Sequence, residues 1–161
     1  MSKTVAPNSH CAYCGAEHTE TTWPRHCVGC GNVSYLNPLP VALILLPVDD
    51  GLLLIRRTIE PVGLALPGGF IDAGEDWRVA AARELFEEAR VVTTPDEIAL
   101  RCVLSAPDGT VLIFGQAEGV FSADLPPFTP SDETSERLVV YESPSGIVFD
   151  LQDRVVSEFF A

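Results

Sequence analysis

The clearest shortage in this sequence is positive charge. Its 161 residues contain ten Lys and Arg against 23 Asp and Glu, which gives a formal net charge of −13 at pH 7. Sequence-independent binding to nucleic acid needs many basic side chains to displace phosphate counterions, so nucleic acid is an unlikely partner. Nucleotide-sized ligands remain compatible, because a local metal ion and a few arginines decide their binding.

Long hydrophobic runs are also absent. No apolar stretch approaches the roughly 18 residues of a membrane span, and no apolar segment follows a basic N-terminal region. We therefore expect a cytoplasmic protein without a membrane partner. A hydrophobic content of 47% is enough for the core of one domain with a small appendage. Oligomeric state is left open, with a homodimer among the options.

Cysteine is scarce, but four of the five cysteines form one repeated pattern. Two C-x2-C-G motifs supply Cys11, Cys14, Cys27 and Cys30, and such paired knuckles are typical of a structural, four-coordinate Zn²⁺ site. Two disulfides or a redox pair are the alternatives; the absence of an export signal disfavours the first, and the duplication disfavours the second. We expect a polar tail and zinc ribbon over residues 1–37, followed by a second domain over 38–161. Cys102 is assigned no chemistry.

The most informative stretch is a glycine turn followed by an acidic helix. Residues 76–89 contain no Pro or Gly, and apolar residues recur every four positions at Trp77, Ala81 and Leu85, which predicts a helix with one buried stripe. Glu84, Glu87 and Glu88 share the neighbouring face.

A solvated acidic face is the common alternative for such a run. No lysine interrupts these three glutamates, however, and the like charges repel one another. A bound Mg²⁺ or Mn²⁺ would compensate them. Arg83 adjoins the group and can pair with Glu75 or Glu87, which would fix one carboxylate and leave the others free for metal. We interpret the stretch as a metal-dependent site that cleaves a diphosphate.

The same residues resemble the Nudix box, G-x5-E-x7-R-E-U-x-E-E-x-G-U, where U is apolar. Gly69, Glu75, Arg83, Glu84, Leu85, Glu87, Glu88 and Val91 occupy the specified positions. One position departs, because Arg90 stands where the pattern has its last glycine. The helix must therefore end without the residue best suited to a left-handed cap.

This resemblance assigns further roles. It implies that Glu84, Glu87 and Glu88 bind the catalytic metal, with the carbonyl of Gly68 as another ligand. In relatives a glutamate just before the last strand reaches the metals as a ligand or base, and both Glu133 and Glu136 fit that position.

Substrate contacts are predicted from residues near the glycine turn. Arg56 and Arg57 end a strand before this turn and can face a diphosphate, for which guanidinium groups are suited. Phe70 is a candidate for stacking on a base, as are Trp77 and Phe128, although core packing is the commoner role of such residues.

The remaining pattern predicts strands and one more helix. We expect a buried hairpin of Val41–Val48 with Leu52–Ile55, strands at 98–106 and 110–121, a short strand near 138–141, and an amphipathic helix over 151–160. With the resemblance, this implies an α/β fold, a Nudix α/β/α sandwich with a mixed sheet, preceded by the zinc ribbon.

Together the ribbon and the box resemble zinc-ribbon Nudix hydrolases, a group that includes NADH pyrophosphatases and shorter ADP-ribose or FAD pyrophosphatase-like enzymes. The NADH enzymes carry an S-Q-P-W-P-type segment after the box, and residues 92–130 contain no match to it. The resemblance therefore implies hydrolysis of ADP-ribose, FAD or a similar small nucleotide. A non-catalytic nucleotide sensor and an NADH pyrophosphatase are the alternatives.

Overall fold

The computed structural model describes residues 6–161, so the first five residues of the predicted tail lie outside it. The chain divides into two compact units, the first ending at Pro38 and the second spanning Leu39–Ala161. No helix among the described residues is long and apolar enough to cross a membrane.

The first unit is built around the cysteines. Its only regular elements among the described residues are two short antiparallel strands, β1 (Arg25–His26) and β2 (Val33–Ser34). The unit therefore has little regular secondary structure of its own.

Two sheets form the centre of the second unit. One has the order β7-β3-β9-β8, and in the other β5 pairs with β10, β4 and β6. The pairing of β3 with β9 is parallel and the other pairings are antiparallel, so the sheet structure is mixed, as predicted. The strands are β3 (Leu39–Leu45), β4 (Pro47–Val48), β5 (Gly51–Arg57), β6 (Gly63–Ala65), β7 (Gly68–Phe70), β8 (Ala99–Ser105), β9 (Thr110–Gln116) and β10 (Thr134–Val140).

The predicted hairpin of Val41–Val48 with Leu52–Ile55 is only partly correct. The chain leaves one sheet after Leu45 and enters the other at Pro47, so only the short β4 pairs with β5. Pro47 has no backbone N–H and cannot continue a strand ladder as a donor, which suits a change of sheet at this point.

Two helices cover opposite faces of this β structure. Alternate residues of β3 and β5 point to opposite sides: Ala42, Ile44, Leu53 and Ile55 pack with helix α1 (Trp77–Ala89), whereas Leu43, Leu45, Leu52 and Leu54 pack with helix α2 (Asp150–Phe159). Strands buried on both faces between two helical layers make the α/β/α sandwich. The site described below is formed by residues of α1 together with residues at the start of α2.

Candidate active site

The glycine turn and α1 are joined by Arg83. Its guanidinium binds both carboxylate oxygens of Glu75, at 2.9 and 3.0 Å, and donates to the carbonyl of Phe70 at 3.1 Å. It also donates to Glu84 at 2.6 Å and to Glu87 at 3.2 Å. Hydrogen bonds from Arg83 lower the pKa of Glu75 and thereby keep this carboxylate charged. Arg83 therefore ties the turn to the helix and orients the acidic cluster.

Glu88 is the most buried of the helix glutamates, with 6% of the residue exposed. The backbone N–H of Gly68 donates to its carboxylate at 2.9 Å. Burial is the main reason why the pKa of Glu88 is raised to about 7; the negative charges of Glu84 and Glu133 act in the same direction, and the Gly68 N–H opposes them. The turn at Gly68 thus lies directly against a carboxylate that is poorly solvated without a cation.

Glu84 is packed against the next residue of the turn. A methyl group at Gly69 would lie 2.6 Å from the carboxyl carbon of Glu84, so the absence of a side chain lets the carboxylate reach the backbone. Burial raises the pKa of Glu84, while the Arg83 hydrogen bond opposes this shift. Glu87 is more exposed, at 54% of its side chain, and extends outward from the pair.

Oxygen donors in this arrangement suit a hard divalent cation. Glu84 and Glu88 supply two desolvated carboxylates beside a turn that admits a close approach, which is the donor set Mg²⁺ or Mn²⁺ prefers. The three helix glutamates do not bring their ligand atoms within 4.8 Å of one another, because Arg83 holds Glu84 and Glu87 while Glu88 turns toward Gly68.

Of the two glutamates expected just before the last strand, Glu136 lies within β10 instead, and the two face different partners. Glu136 forms an ion pair with Arg56 at 2.8 Å, and both side chains are about half exposed. Glu133 precedes β10, and its charge raises the pKa of both Glu84 and Glu88. Of these two glutamates, Glu133 is therefore the one whose charge acts on the helix carboxylates.

The two adjacent arginines, Arg56 and Arg57, also contact different groups. Arg56 is engaged with Glu136, whereas Arg57 lies 5.3 Å from the ring centre of Phe149 and donates to the carbonyl of Pro61. The positive charge of Arg57 acts to lower the pKa of Glu88. Of these two arginines, Arg57 is thus the one whose charge acts on the acidic cluster.

A cavity of about 460 Å³ adjoins the glycine turn. It is lined by Arg57, Gly68, Gly69 and Phe70 on one side and by the segment that begins α2 on the other, Phe149–Gln152. Sequence reasoning identified Phe70 but missed this second wall. The signal was available: Gln152 precedes the buried Val155 and Val156 by three and four residues, so a polar side chain stands on the apolar face of α2.

The four ribbon cysteines are close enough to share one ion. Their sulfur atoms all lie within 4.8 Å of one another, with pairs at 3.5 and 3.7 Å. A tetrahedral zinc with Zn–S bonds of 2.3 Å would place sulfurs about 3.8 Å apart, so the cluster fits this metal. The backbone N–H of Tyr13 points at the Cys11 sulfur and is the main cause of a pKa lowered to about 6. All five cysteines lie within the described residues, 6–161, and none of them is disulfide-bonded.

The described geometry agrees with a comparison to known families. The model of the NUDIX domain matches residues 37–144. The chain belongs to the Nudix family. Its curated relatives include the NAD-capped RNA hydrolases NudC of Edwardsiella ictaluri, 34% identical over 84 residues, and of Shigella flexneri, 32% identical over 87 residues. These alignments cover 50% and 52% of this chain but only about a third of those proteins, 33% and 34%.

Solved structures show the same Nudix fold over more of the chain. A Nudix hydrolase from Nitrosomonas europaea has a TM-score of 0.74 at 23% identity, covering 94% of this chain and 90% of its own. A bifunctional NMN adenylyltransferase/ADP ribose pyrophosphatase from Francisella tularensis has a TM-score of 0.55 at 24% identity, covering 76% of this chain and 37% of its own.

The departure from the Nudix box has a defined backbone consequence. Arg90 takes the left-handed conformation at the end of α1, with φ 60° and ψ 25°, and its N–H donates to the carbonyl of Phe86. The chain therefore keeps the glycine-type cap of the box with a residue that is strained there.

Proposed function

We propose that this protein is a metal-dependent pyrophosphohydrolase. Its substrate would be a nucleoside diphosphate linked to a second group, such as ADP-ribose or FAD, cleaved between the phosphates. The observation that carries this proposal is the partly buried carboxylate of Glu84 and the buried carboxylate of Glu88 against a glycine turn that also borders a nucleotide-sized cavity.

Each residue near the turn has a defined part in this reaction. Mg²⁺ or Mn²⁺ held by Glu84, Glu88 and the Gly68 backbone would supply Lewis-acid stabilisation of the phosphate charge. Arg83 keeps Glu84 in place, and Glu87 adds negative charge at the outer edge. Arg57 binds the diphosphate, because it lines the cavity, its charge acts on Glu88, and it has no carboxylate partner among the described residues.

Glu133 serves as the base for the attacking water. A water oxygen forms a bond to one phosphorus, its proton passes to the Glu133 carboxylate, and the bond from that phosphorus to the bridging oxygen breaks. The products are two phosphomonoesters, one of them a nucleoside monophosphate. Glu133 is favoured over Glu136 because its charge reaches both Glu84 and Glu88, whereas Glu136 is paired with Arg56.

A substrate panel in ¹⁸O-labelled water, followed by ³¹P NMR, tests the reaction. We expect ADP-ribose or FAD to yield AMP with ribose 5-phosphate or FMN, and the label to identify the phosphorus attacked. Glu88→Gln should lower kcat on the order of a thousandfold. The control Glu97→Gln removes the same charge from the turn Pro95–Glu97, away from the box, and should leave kcat unchanged.

Two results would redirect the assignment. Hydrolysis of NADH at least tenfold faster than ADP-ribose and FAD would favour an NADH pyrophosphatase. Nucleotide binding without phosphate-bond cleavage under Mg²⁺ and Mn²⁺ would favour a non-catalytic sensor.

A further inference from the structure

Gln152 is a buried polar residue with one end of its amide bonded and the other unpaired. The residue is 5% exposed, and its Oε1 accepts a hydrogen bond from the backbone N–H of Leu66 at 2.8 Å. A backbone N–H can only donate, so this contact fixes which end of the amide is oxygen. Among residues 6–161 the Nε2 group makes no hydrogen bond, and it is not sealed away from solvent.

Gln152 is also part of the wall of the cavity beside the glycine turn. With Oε1 held by Leu66, the amide can present only its N–H donors to that cavity. A ligand there must offer a hydrogen-bond acceptor to satisfy them. The cavity therefore selects for an acceptor at one defined position.

The rest of the lining favours a planar ring over a sugar. Most of the lining residues are apolar, among them Val41, Leu43, Leu112 and Phe149. A nucleobase or flavin ring gains from contact with such walls and with an aromatic side chain. A ribose would bury several hydroxyl groups with few partners, which costs binding energy.

Charge sets the direction in which a nucleotide enters. Asp108 and Asp150 lie on the cavity wall and repel phosphate, whereas Arg57 lines the side shared with Gly68. Gly68 in turn contacts Glu88. A nucleotide with its ring beside Gln152 therefore directs its phosphates toward Arg57 and the helix glutamates.

We propose that this cavity takes the nucleobase or flavin ring of the substrate, and that Gln152 donates through Nε2 to a ring nitrogen or carbonyl oxygen of that ring. Gln152 is then a specificity-determining residue contributed by α2. This inference rests on the proposed function, because it assigns one half of the same substrate.

Binding of products to the wild-type protein tests the contact without any catalysis. The side-chain amide signals of Gln152 are followed in ¹⁵N-labelled protein while AMP, GMP, UMP, FMN or ribose 5-phosphate is added. We expect at least one ring-bearing ligand to shift these signals and slow their exchange with water. Ribose 5-phosphate, which has neither a nucleobase nor a flavin ring, should leave them in place.

Gln152→Glu separates recognition from packing. The variant keeps an oxygen for the Leu66 N–H and replaces the donor with an acceptor of nearly the same size. The Kd of the preferred ligand should rise roughly tenfold or more. Gln116→Glu makes the same change beside Arg101, outside the cavity, and should leave the Kd unchanged.

The inference is overturned if Gln152→Glu binds every ligand as the wild type does, or if ribose 5-phosphate shifts the Gln152 signals as strongly as the ring-bearing ligands. It also fails, with the proposed function intact, if the wild type hydrolyses a diphosphate whose products never perturb Gln152. Perturbation by a nucleotide in a protein that hydrolyses no diphosphate would instead refute the proposed function.

Discussion

Glu133 and Glu136 carry the same side chain, three residues apart, and differ in what each one faces. Glu136 is paired with Arg56, whereas the charge of Glu133 reaches Glu84 and Glu88. We predict that Glu133→Gln lowers kcat by about 10²–10⁴-fold, the usual contribution of a general base. Glu136→Gln should retain kcat within a few fold. Steady-state kinetics on the same substrate between pH 6 and 9 measures both.

The opposite order of these two variants would move the base to Glu136. Near wild-type kcat/KM in both variants would show that neither glutamate is the base. Because the variants remove the same charge from neighbouring positions, each serves as the control for the other.

The raised pKa of Glu88 predicts how the stability of the metal-free protein depends on pH. Burial raises its pKa in the folded protein to about 7, whereas in the unfolded chain the pKa is near 4.5. Between these values the folded state holds a proton that the unfolded state has lost. The free energy of unfolding therefore falls as pH rises from about 4.5 to 7, by roughly 3 kcal/mol.

Thermal unfolding of the wild type and of Glu88→Gln, both in the presence of a chelator, tests this pH dependence. Glu88→Gln keeps a hydrogen-bond acceptor for Gly68 and has no charge to bury, so its Tm should exceed that of the wild type at pH 8. The gap should close toward pH 4.5. A wild-type Tm that rises relative to the variant with pH would contradict the assigned cause.

At the scale of one helix, the end of α1 carries strain that a single substitution should relieve. Arg90 has a φ of 60°, a conformation that costs a non-glycine residue about 1–2 kcal/mol. Its guanidinium lies 5.9 Å from the centre of the Phe86 ring. At an exposed site such a cation–π contact stabilises the protein by less than this strain costs. Arg90→Gly should therefore stabilise the protein by roughly 0.5–1 kcal/mol, measured by urea unfolding. Destabilisation would show that the arginine contact outweighs the strain.

The cysteine ribbon is the second element with a direct test. Zinc held by four thiolates should survive washing with a chelator, so elemental analysis should find about one zinc per chain. Cys27→Ser should lose it and should unfold the ribbon, because this unit has little other regular structure. Cys102→Ser, outside the cluster, should keep the full zinc content. Equal zinc in both variants would refute the site.

The helices and the residues on them were predictable from local pattern, whereas contacts between distant segments were not. The four-residue period and the absence of Pro and Gly predicted α1 to within one residue, and the structure adds Asp76 as its N-cap. By contrast, nothing local indicates that Arg56 meets Glu136, 80 residues away, and so leaves Glu133 for the acidic cluster. The pairing of Gln152 with Leu66 joins residues 86 apart and was missed for the same reason.

For the whole molecule, the strong negative charge predicts how RNA-linked substrates behave. With a net charge of −13, the protein repels a phosphate backbone beyond the reacting diphosphate. We expect kcat/KM for an NAD-capped RNA to lie below that for free NADH at low salt. The gap should narrow as salt rises, because screening weakens repulsion. Activity on the capped RNA that falls steeply with salt would reveal a basic surface for RNA.

At Gly69 the Nudix box requires the absence of a side chain and not a flexible backbone. Its backbone does not have a positive φ, yet a side chain there would collide with the Glu84 carboxylate. The residue at position 69 therefore decides whether the Glu84 carboxylate can lie against the backbone of the turn. When related sequences are sorted into enzymes and non-catalytic binding proteins, a complete set of box glutamates is not a sufficient criterion. In a relative with alanine at this position, the carboxylate that matches Glu84 must take another place even if every acidic residue is retained.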